Sequence, residues 1–427
     1  MNYSTKCCAV VDNGLFVEVA TALAPAFGEV LYYSPWESAF PKSNSTLIGV
    51  GIPGVTRVNT IYDRTADVDL WVFPDVYYGA FQCHLEELGK RVWGSRLGER
   101  LELDRVWSKE CLAKLGVPIG RFEVIIGLDA LRVYLKSHRD QWVKISCTRG
   151  DMETFHSKNY KLIEPRLDEL EHNLGAKKKI MEFIVEDDID EVTEVGYDGY
   201  AVDGSYPSCA MVGIEAKNKG YLGMMQDTKH MLPQVQAVNN AIVAQLREWK
   251  YRNFISLEMR ITDDGTPYVI DPCTRLTSPP GELLLAMYTN LADIFWEGAE
   301  GRCIDPIPAG KYGAELVISS GWADKNWQAI EFPAKLRPFI KLRNLAIIDG
   351  RYYCVPQAVG LNEVGSIVAY GETLDEAIEA CEEYSHEVEG YFLEVHPECL
   401  EDIKHEFDTV EDSAEQLEVE DLDDASD

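Results

Sequence analysis

Phe254-Ile255-Ser256-Leu257-Glu258-Met259-Arg260-Ile261 alternates apolar and polar residues, the period of a half-buried strand. Thr262-Asp263-Asp264-Gly265-Thr266 follows with an Asp-Gly turn, and Pro267-Tyr268-Val269-Ile270-Asp271 reads as the returning strand. A two-residue turn at Asp264-Gly265 pairs Glu258 directly with Asp271. Their Cβ atoms are then expected roughly 4.5–5.5 Å apart on one face. Ser256, Arg260, Cys273 and Arg275 share that face, while Ile255, Leu257, Met259 and Ile270 take the other. Two opposed carboxylates repel each other unless something positive lies between them. Mg²⁺ suits the place, since it takes one or two protein carboxylates and fills its shell with water and phosphate oxygens. The alternative is an exposed hairpin whose acids are solvated or paired with Arg260.

The rest of the chain supplies a setting for that hairpin. Cys7–Asp12, Val30–Tyr33 and Leu70–Asp75 are short apolar runs that read as buried parallel strands, with helical spacing over Leu15–Phe27 and Ala80–Leu88. That pattern predicts an N-terminal doubly wound α/β domain over 1–105. Gly49-Val50-Gly51-Ile52-Pro53-Gly54 matches a dinucleotide motif in letters, but Pro53 and the β-like Val55–Val58 block the helix the motif needs. Leu101–Leu115 reads as one helix stopped by Gly116-Val117-Pro118. Val235, Val238, Ile242, Leu246 and Trp249 mark one face of another. Thr373 and Glu376 form a capping box before a helix near the C-terminus. No internal repeat is present.

The 427 residues carry a formal charge of −32. Residues 401–427 hold 13 Asp or Glu against one Lys, about −12 of that total, and are expected to form a disordered acidic tail. Acidity across the remainder argues against nucleic-acid binding. No apolar run approaches membrane-span length, and the N-terminus lacks the pattern of a signal peptide. Eleven scattered cysteines without a C-x-x-C point to reduced thiols and a cytoplasmic protein rather than a zinc site.

The hairpin resembles the nucleotide–metal hairpin of the ATP-grasp superfamily, in which an acid on one strand faces the motif E-x-N-x-R on the next. Here that motif reads Asp271-Pro272-Cys273-Thr274-Arg275, with Cys273 in place of the Asn. The resemblance implies Glu258 and Asp271 as Mg²⁺ ligands and Arg275 as the contact to the transferring phosphoryl group. It also implies that Lys109, and Lys144 in the apolar strand Trp142–Ile145, bind ATP phosphates. Independently, a buried ammonium such as that of Lys144 calls for an anion. Ile180–Val185 resembles the strand whose backbone reads the adenine edge, which assigns Glu182, Phe183 and Ile184 to the nucleotide. Glu194 is assigned to the ribose hydroxyls, among nearby acids that include Glu186, Asp187, Asp188, Asp190 and Glu191.

In domain order the chain is most similar to phosphoribosylamine–glycine ligase and biotin carboxylase. The order implied is an N-terminal α/β domain, an ATP-grasp domain over 106–310 with a lid at about 118–190, a small C-terminal α+β domain over 311–400, and the tail. The stretch Gly365–Ala377 resembles the strand, turn and helix that close such a C-terminal domain. Elsewhere the chain departs from those ligases. The glycine-rich loop after the strand lysine is reduced to Cys147-Thr148-Arg149-Gly150-Asp151, where Arg149 would cover the phosphates. Glu215–Met224 only loosely matches a "GGMG" substrate stretch, and Leu276–Pro280 replaces "F-G-D-P-E".

These readings predict an ATP- and Mg²⁺-dependent ligase joining a small carboxylate to an amine or thiol through an acyl phosphate, and dimers among similar proteins imply a homodimer. A small-molecule kinase and a nucleotide-binding protein without turnover share the same fold.

Overall fold

The computed structural model describes residues 2–35, 47–146, 154–189, 193–356 and 362–407; the side chains of Thr193 and Glu194, and Arg149 with its expected phosphate contact, lie outside that description. Five parallel strands form the first sheet: β1 (Tyr3–Val11), β2 (Phe27–Tyr33), β3 (Val55–Arg57), β4 (Leu70–Val72) and β5 (Arg91–Trp93). Their order is β3-β2-β1-β4-β5, so the winding reverses between β1 and β4. Helices Val17–Leu23 and Gly79–Glu87 follow β1 and β4. Near-continuous burial of β1, β2 and β4 explains why these strands read as unbroken apolar runs. The strand Val55–Arg57, not a helix, follows the G-x-G-x-x-G letters.

The expected helix over Leu101–Leu115 is two helices, Arg100–Leu103 and Arg105–Lys114. Asp104 breaks it: its backbone leaves the helical region and its carboxylate accepts the Trp107 N–H at 3.1 Å, an N-cap for the second helix. Beyond it, β6 (Phe122–Ile126), β7 (Gln141–Ile145), β8 (Thr154–Ser157) and β9 (Glu182–Asp187) make an antiparallel sheet in the order β6-β9-β7-β8.

The largest sheet gathers β10 (Thr193–Val202), β11 (Cys209–Ala216), β12 (Gly220–Asp227), β13 (Arg252–Ile261), β14 (Pro267–Cys273), β15 (Tyr312–Ser319), β17 (Ile340–Leu342) and β20 (Glu363–Gly371). Its order is β14-β13-β10-β11-β12-β15-β20-β17, so hydrogen bonding runs unbroken from the 250s to the 360s. One face packs on helix Pro233–Glu248 through Val235, Val238, Ile242 and Leu246, the positions that helical spacing singled out. A small sheet of β16 (Gln328–Glu331), β18 (Leu345–Ile348), β19 (Arg351–Cys354) and β21 (Glu389–Gly390) stands beside it.

The helix Leu374–Ser385 carries the expected capping box at Thr373 and Glu376. The acidic tail begins later than composition predicts. Residues up to Phe407 are helical, and Leu400, Ile403 and Phe407 are buried in the main core. Their spacing places one apolar stripe on a charged helix. Among the described residues no helix is long and apolar enough to cross a membrane.

Candidate functional site

β13 and β14 form the hairpin, but the turn differs from the expected one. Thr262 N–H donates to the Thr266 carbonyl at 3.2 Å, leaving a three-residue loop, Asp263-Asp264-Gly265. Gly265 takes the left-handed conformation (φ 79°) that such loops need. The Asp264 carboxylate accepts from the Thr262 hydroxyl (2.8 Å) and the Thr266 N–H (3.1 Å). This loop pairs Ile261 with Pro267, Arg260 with Tyr268 and Met259 with Val269. Ile270 is then one residue too many, a β-bulge, and beyond it Glu258 faces Asp271 and Ser256 faces Cys273. Ile270 therefore does not join the apolar face: Val269 is the buried residue beside Met259. The Ile270 carbonyl instead accepts from Lys144 Nζ at 3.1 Å.

Cations surround the facing acids. Arg105 Nη1 lies 3.2 Å from Asp271 Oδ1, and Lys217 Nζ lies 3.8 Å from Glu258 Oε1. Burial alone would raise the Asp271 pKa, but Lys144, Arg105, Lys217 and Lys109 together hold it below the usual carboxylate range. Lys109 and Lys144, both buried, approach one acid: Lys109 Nζ is 3.0 Å from Glu186 Oε1 and Lys144 Nζ 3.8 Å from Glu186 Oε2. Burial lowers the Lys109 pKa against the opposing pull of Glu186. Glu186 and Asp271 together face these two buried ammonium groups, the counter-charge that a buried cation requires.

The other residues singled out by sequence fall differently. Arg275 lies past the end of β14, with Nε donating to Glu102 Oε1 at 2.8 Å and standing 3.9 Å from Asp75 Oδ1. Its guanidinium sits 5.8 Å from the Phe16 ring, so it faces the N-terminal sheet. Glu182, Phe183 and Ile184 are inside β9, which pairs with β6 on one side and β7 on the other. Their backbone groups are spent on those ladders. Glu194 pairs through its backbone with Arg260. Among the described residues no three His, Cys, Asp or Glu side chains gather around one point as a metal cage. The hairpin supplies two carboxylates, which is the protein share that Mg²⁺ commonly takes.

Arg105 and Lys217 escaped the sequence reading because each looks like an ordinary solvated cation. A further buried network also escaped it: Arg343 donates to Glu282 Oε1 at 3.2 Å and to Glu363 and Ser278. Burial and Glu282 raise the pKa of the adjoining Glu315.

No family model matches the sequence, and no curated protein matches it. Solved structures do match the fold. Phosphoribosylamine–glycine ligase from Thermotoga maritima superposes with a TM-score of 0.67 at 18% identity, covering 91% of this chain and 98% of that one. The biotin carboxylase domain of 2-oxoglutarate carboxylase from Hydrogenobacter thermophilus gives 0.63 at 13% identity, covering 95% of each chain. L-amino acid ligase from Bacillus licheniformis gives 0.58 at 14% identity, over 91% and 98%.

The chain has the ATP-grasp fold. Within this ATP-grasp fold, β13 and β14 carry the facing acids, while the four-stranded sheet and the helix Arg105–Lys114 carry the buried lysines.

Proposed function

We propose that the protein is an ADP-forming ligase that joins a small carboxylate to an amine or thiol. The observation that carries this reading is the ring of cations around Glu258 and Asp271, with Lys109 and Lys144 beside it sharing Glu186. Glu258 and Asp271 would hold Mg²⁺, which when bound neutralises phosphate charge. Lys109 and Lys144 would bind the ATP phosphates. Arg275, held by Glu102 and the Leu276 carbonyl past the end of β14, would have to turn from these partners to contact the transferring phosphoryl group. Phosphorylation of the substrate carboxylate makes phosphate a leaving group, and the acceptor nucleophile then displaces it. No side-chain nucleophile is required. The MgADP held by the 2-oxoglutarate carboxylase domain supports ATP and Mg²⁺ as cofactors here. The ten described cysteines are free thiols, in keeping with a cytoplasmic protein.

Asp271→Ala is expected to abolish release of ADP and phosphate while leaving the melting temperature within a few degrees of wild type. Undiminished ATP consumption in that variant would overturn the assignment. Cys273, standing where the resemblance calls for Asn, favours one second reading: nucleotide binding without turnover. Thermal stabilisation by Mg–ATP with no ADP formed across a broad panel of acids and amines would establish it.

A further inference from the structure

Three large aromatic side chains stand in solvent beside the small sheet. Trp322, Tyr391 and Phe392 keep 41%, 60% and 64% of their surface exposed, on a chain of formal charge −32. Single exposed apolar residues are ordinary, whereas rings in contact with one another mark a binding surface. The Trp322 and Tyr391 rings meet at 5.2 Å with their planes 85° apart, and Phe392 meets Tyr391 at 4.5 Å. Beside them opens a cavity of about 850 Å³, with Trp322, Trp327, Glu331, Arg351, Glu389 and Tyr391 in its walls. That volume falls in the small-molecule range of roughly 300–1,000 Å³. The cavity belongs to β16, β19, β21 and their loops and shares no residue with the Glu258–Asp271 hairpin.

The aromatic corner is held from beneath by buried polar groups. Ser320, fully buried, accepts the Trp322 N–H on Oγ at 3.2 Å. The same hydroxyl lies 3.0 Å from Gln328 Oε1 and 3.3 Å from the Tyr391 carbonyl. Gln328, also fully buried, donates from Nε2 to the Ala329 carbonyl at 2.8 Å. Ser319 and Glu394 exchange both backbone hydrogen bonds, at 2.9 and 2.8 Å. Between these anchors Phe392 takes the left-handed conformation, φ 50°, which a bulky side chain adopts only where its surroundings impose it. Core packing explains none of this for rings left in water. A surface fixed in advance for a ligand does, since preorganisation lowers the cost of binding.

The walls name the ligand's charge. Arg351 Nη2 donates to Glu331 Oε1 at 2.5 Å, so those two charges cancel. Glu389 is exposed and has no ion pair among the described residues. The cavity therefore presents one carboxylate and three aromatic rings, whose faces carry negative potential. Its buried acceptor, Gln328 Oε1, is already engaged by Ser320, which leaves little to receive N–H donors. A flat ligand needs a flat platform, whereas a right-angled corner meets a rounded one. We propose that this cavity binds a small organic cation through a quaternary ammonium group, with Trp322, Trp327 and Tyr391 against its methyl groups and Glu389 balancing its charge. The proposal does not depend on the ligase reading.

Calorimetry on the full chain tests it with choline and tetramethylammonium. Dimethylbutanol, which has the shape of choline without the charge, and ethanolamine, a strongly hydrated cation, serve as comparisons. Choline is expected to bind at least about ten-fold more tightly than either comparison. Trp322→Leu and Tyr391→Leu, which keep apolar bulk and remove the ring, are each expected to weaken choline about ten-fold, while Tyr391→Phe retains it. Glu389→Gln is expected to weaken choline and leave dimethylbutanol unchanged. Asp271→Ala is expected to bind choline as wild type does. Silence of both quaternary cations, equal binding of dimethylbutanol, full affinity in both Leu variants, or loss of choline binding in Asp271→Ala would each overturn the proposal. Should a Leu variant not fold, Glu389→Gln decides the matter.

Discussion

Glu258 and Asp271 face each other because two irregularities cancel. The three-residue loop offsets the hairpin register by one residue, and the bulged Ile270 restores it. The loop depends on the left-handed Gly265. Gly265→Val is expected to cost about 1–3 kcal/mol, read as a lower melting temperature, with a smaller loss for Gly265→Asn, which tolerates that conformation.

Glu186 is the shared counter-charge of Lys109 and Lys144. Glu186→Gln leaves two buried ammonium groups without it and is expected to destabilise the fold by about 3 kcal/mol. Adding Lys144→Met should recover part of that loss. Chemical denaturation of the single and double variants measures the coupling; strict additivity would show that the three groups do not act together.

Asp12 and Asp271 titrate in opposite directions from the ordinary value. The raised Asp12 carboxyl, at about 7, keeps its proton in the folded chain when the unfolded chain has lost it. Its contribution to stability therefore falls as pH rises from about 4 to about 7, by at most about 1.4 kcal/mol per unit, and is flat above. The difference between wild-type and Asp12→Asn denaturation curves across that range isolates the effect. Asp271, held low by its cations, contributes stability above about pH 4 that is lost as pH falls through its depressed value. Mg–ATP stabilisation should accordingly not change between pH 5 and 8 on account of Asp271.

Phe407 is fully buried against the main core although the surrounding sequence is strongly acidic. Phe407→Ala is expected to cost about 3 kcal/mol, seen as a drop in denaturation midpoint. A surface residue would shift it hardly at all.

The hairpin was legible because its alternation survives in the letters, and so was the parallel N-terminal sheet, whose strands are apolar throughout. The bulge was not: Val269 and Ile270 are both apolar strand formers, and either could have faced the core. Asp104 is tolerated inside a helix and favoured at its cap, so Leu101–Leu115 gave no sign of the break. Lys144 stood out as a charge in an apolar strand. Its partner Glu186 lies in a run of acids where nothing marks one above another. Arg105 and Lys217 acquire meaning only from the acids that folding brings to them. The charge of the tail concealed Leu400, Ile403 and Phe407, whose helical spacing was the better guide.

The eight-stranded sheet has one more consequence. β12 is hydrogen-bonded to β15, across position 310, along five residue pairs. A chain ending near 310 would expose the whole of that edge, an invitation to intermolecular strand pairing. The C-terminal segment is thus no detachable module. Recombination that exchanged it for a relative's would have to preserve the register of β12 against β15.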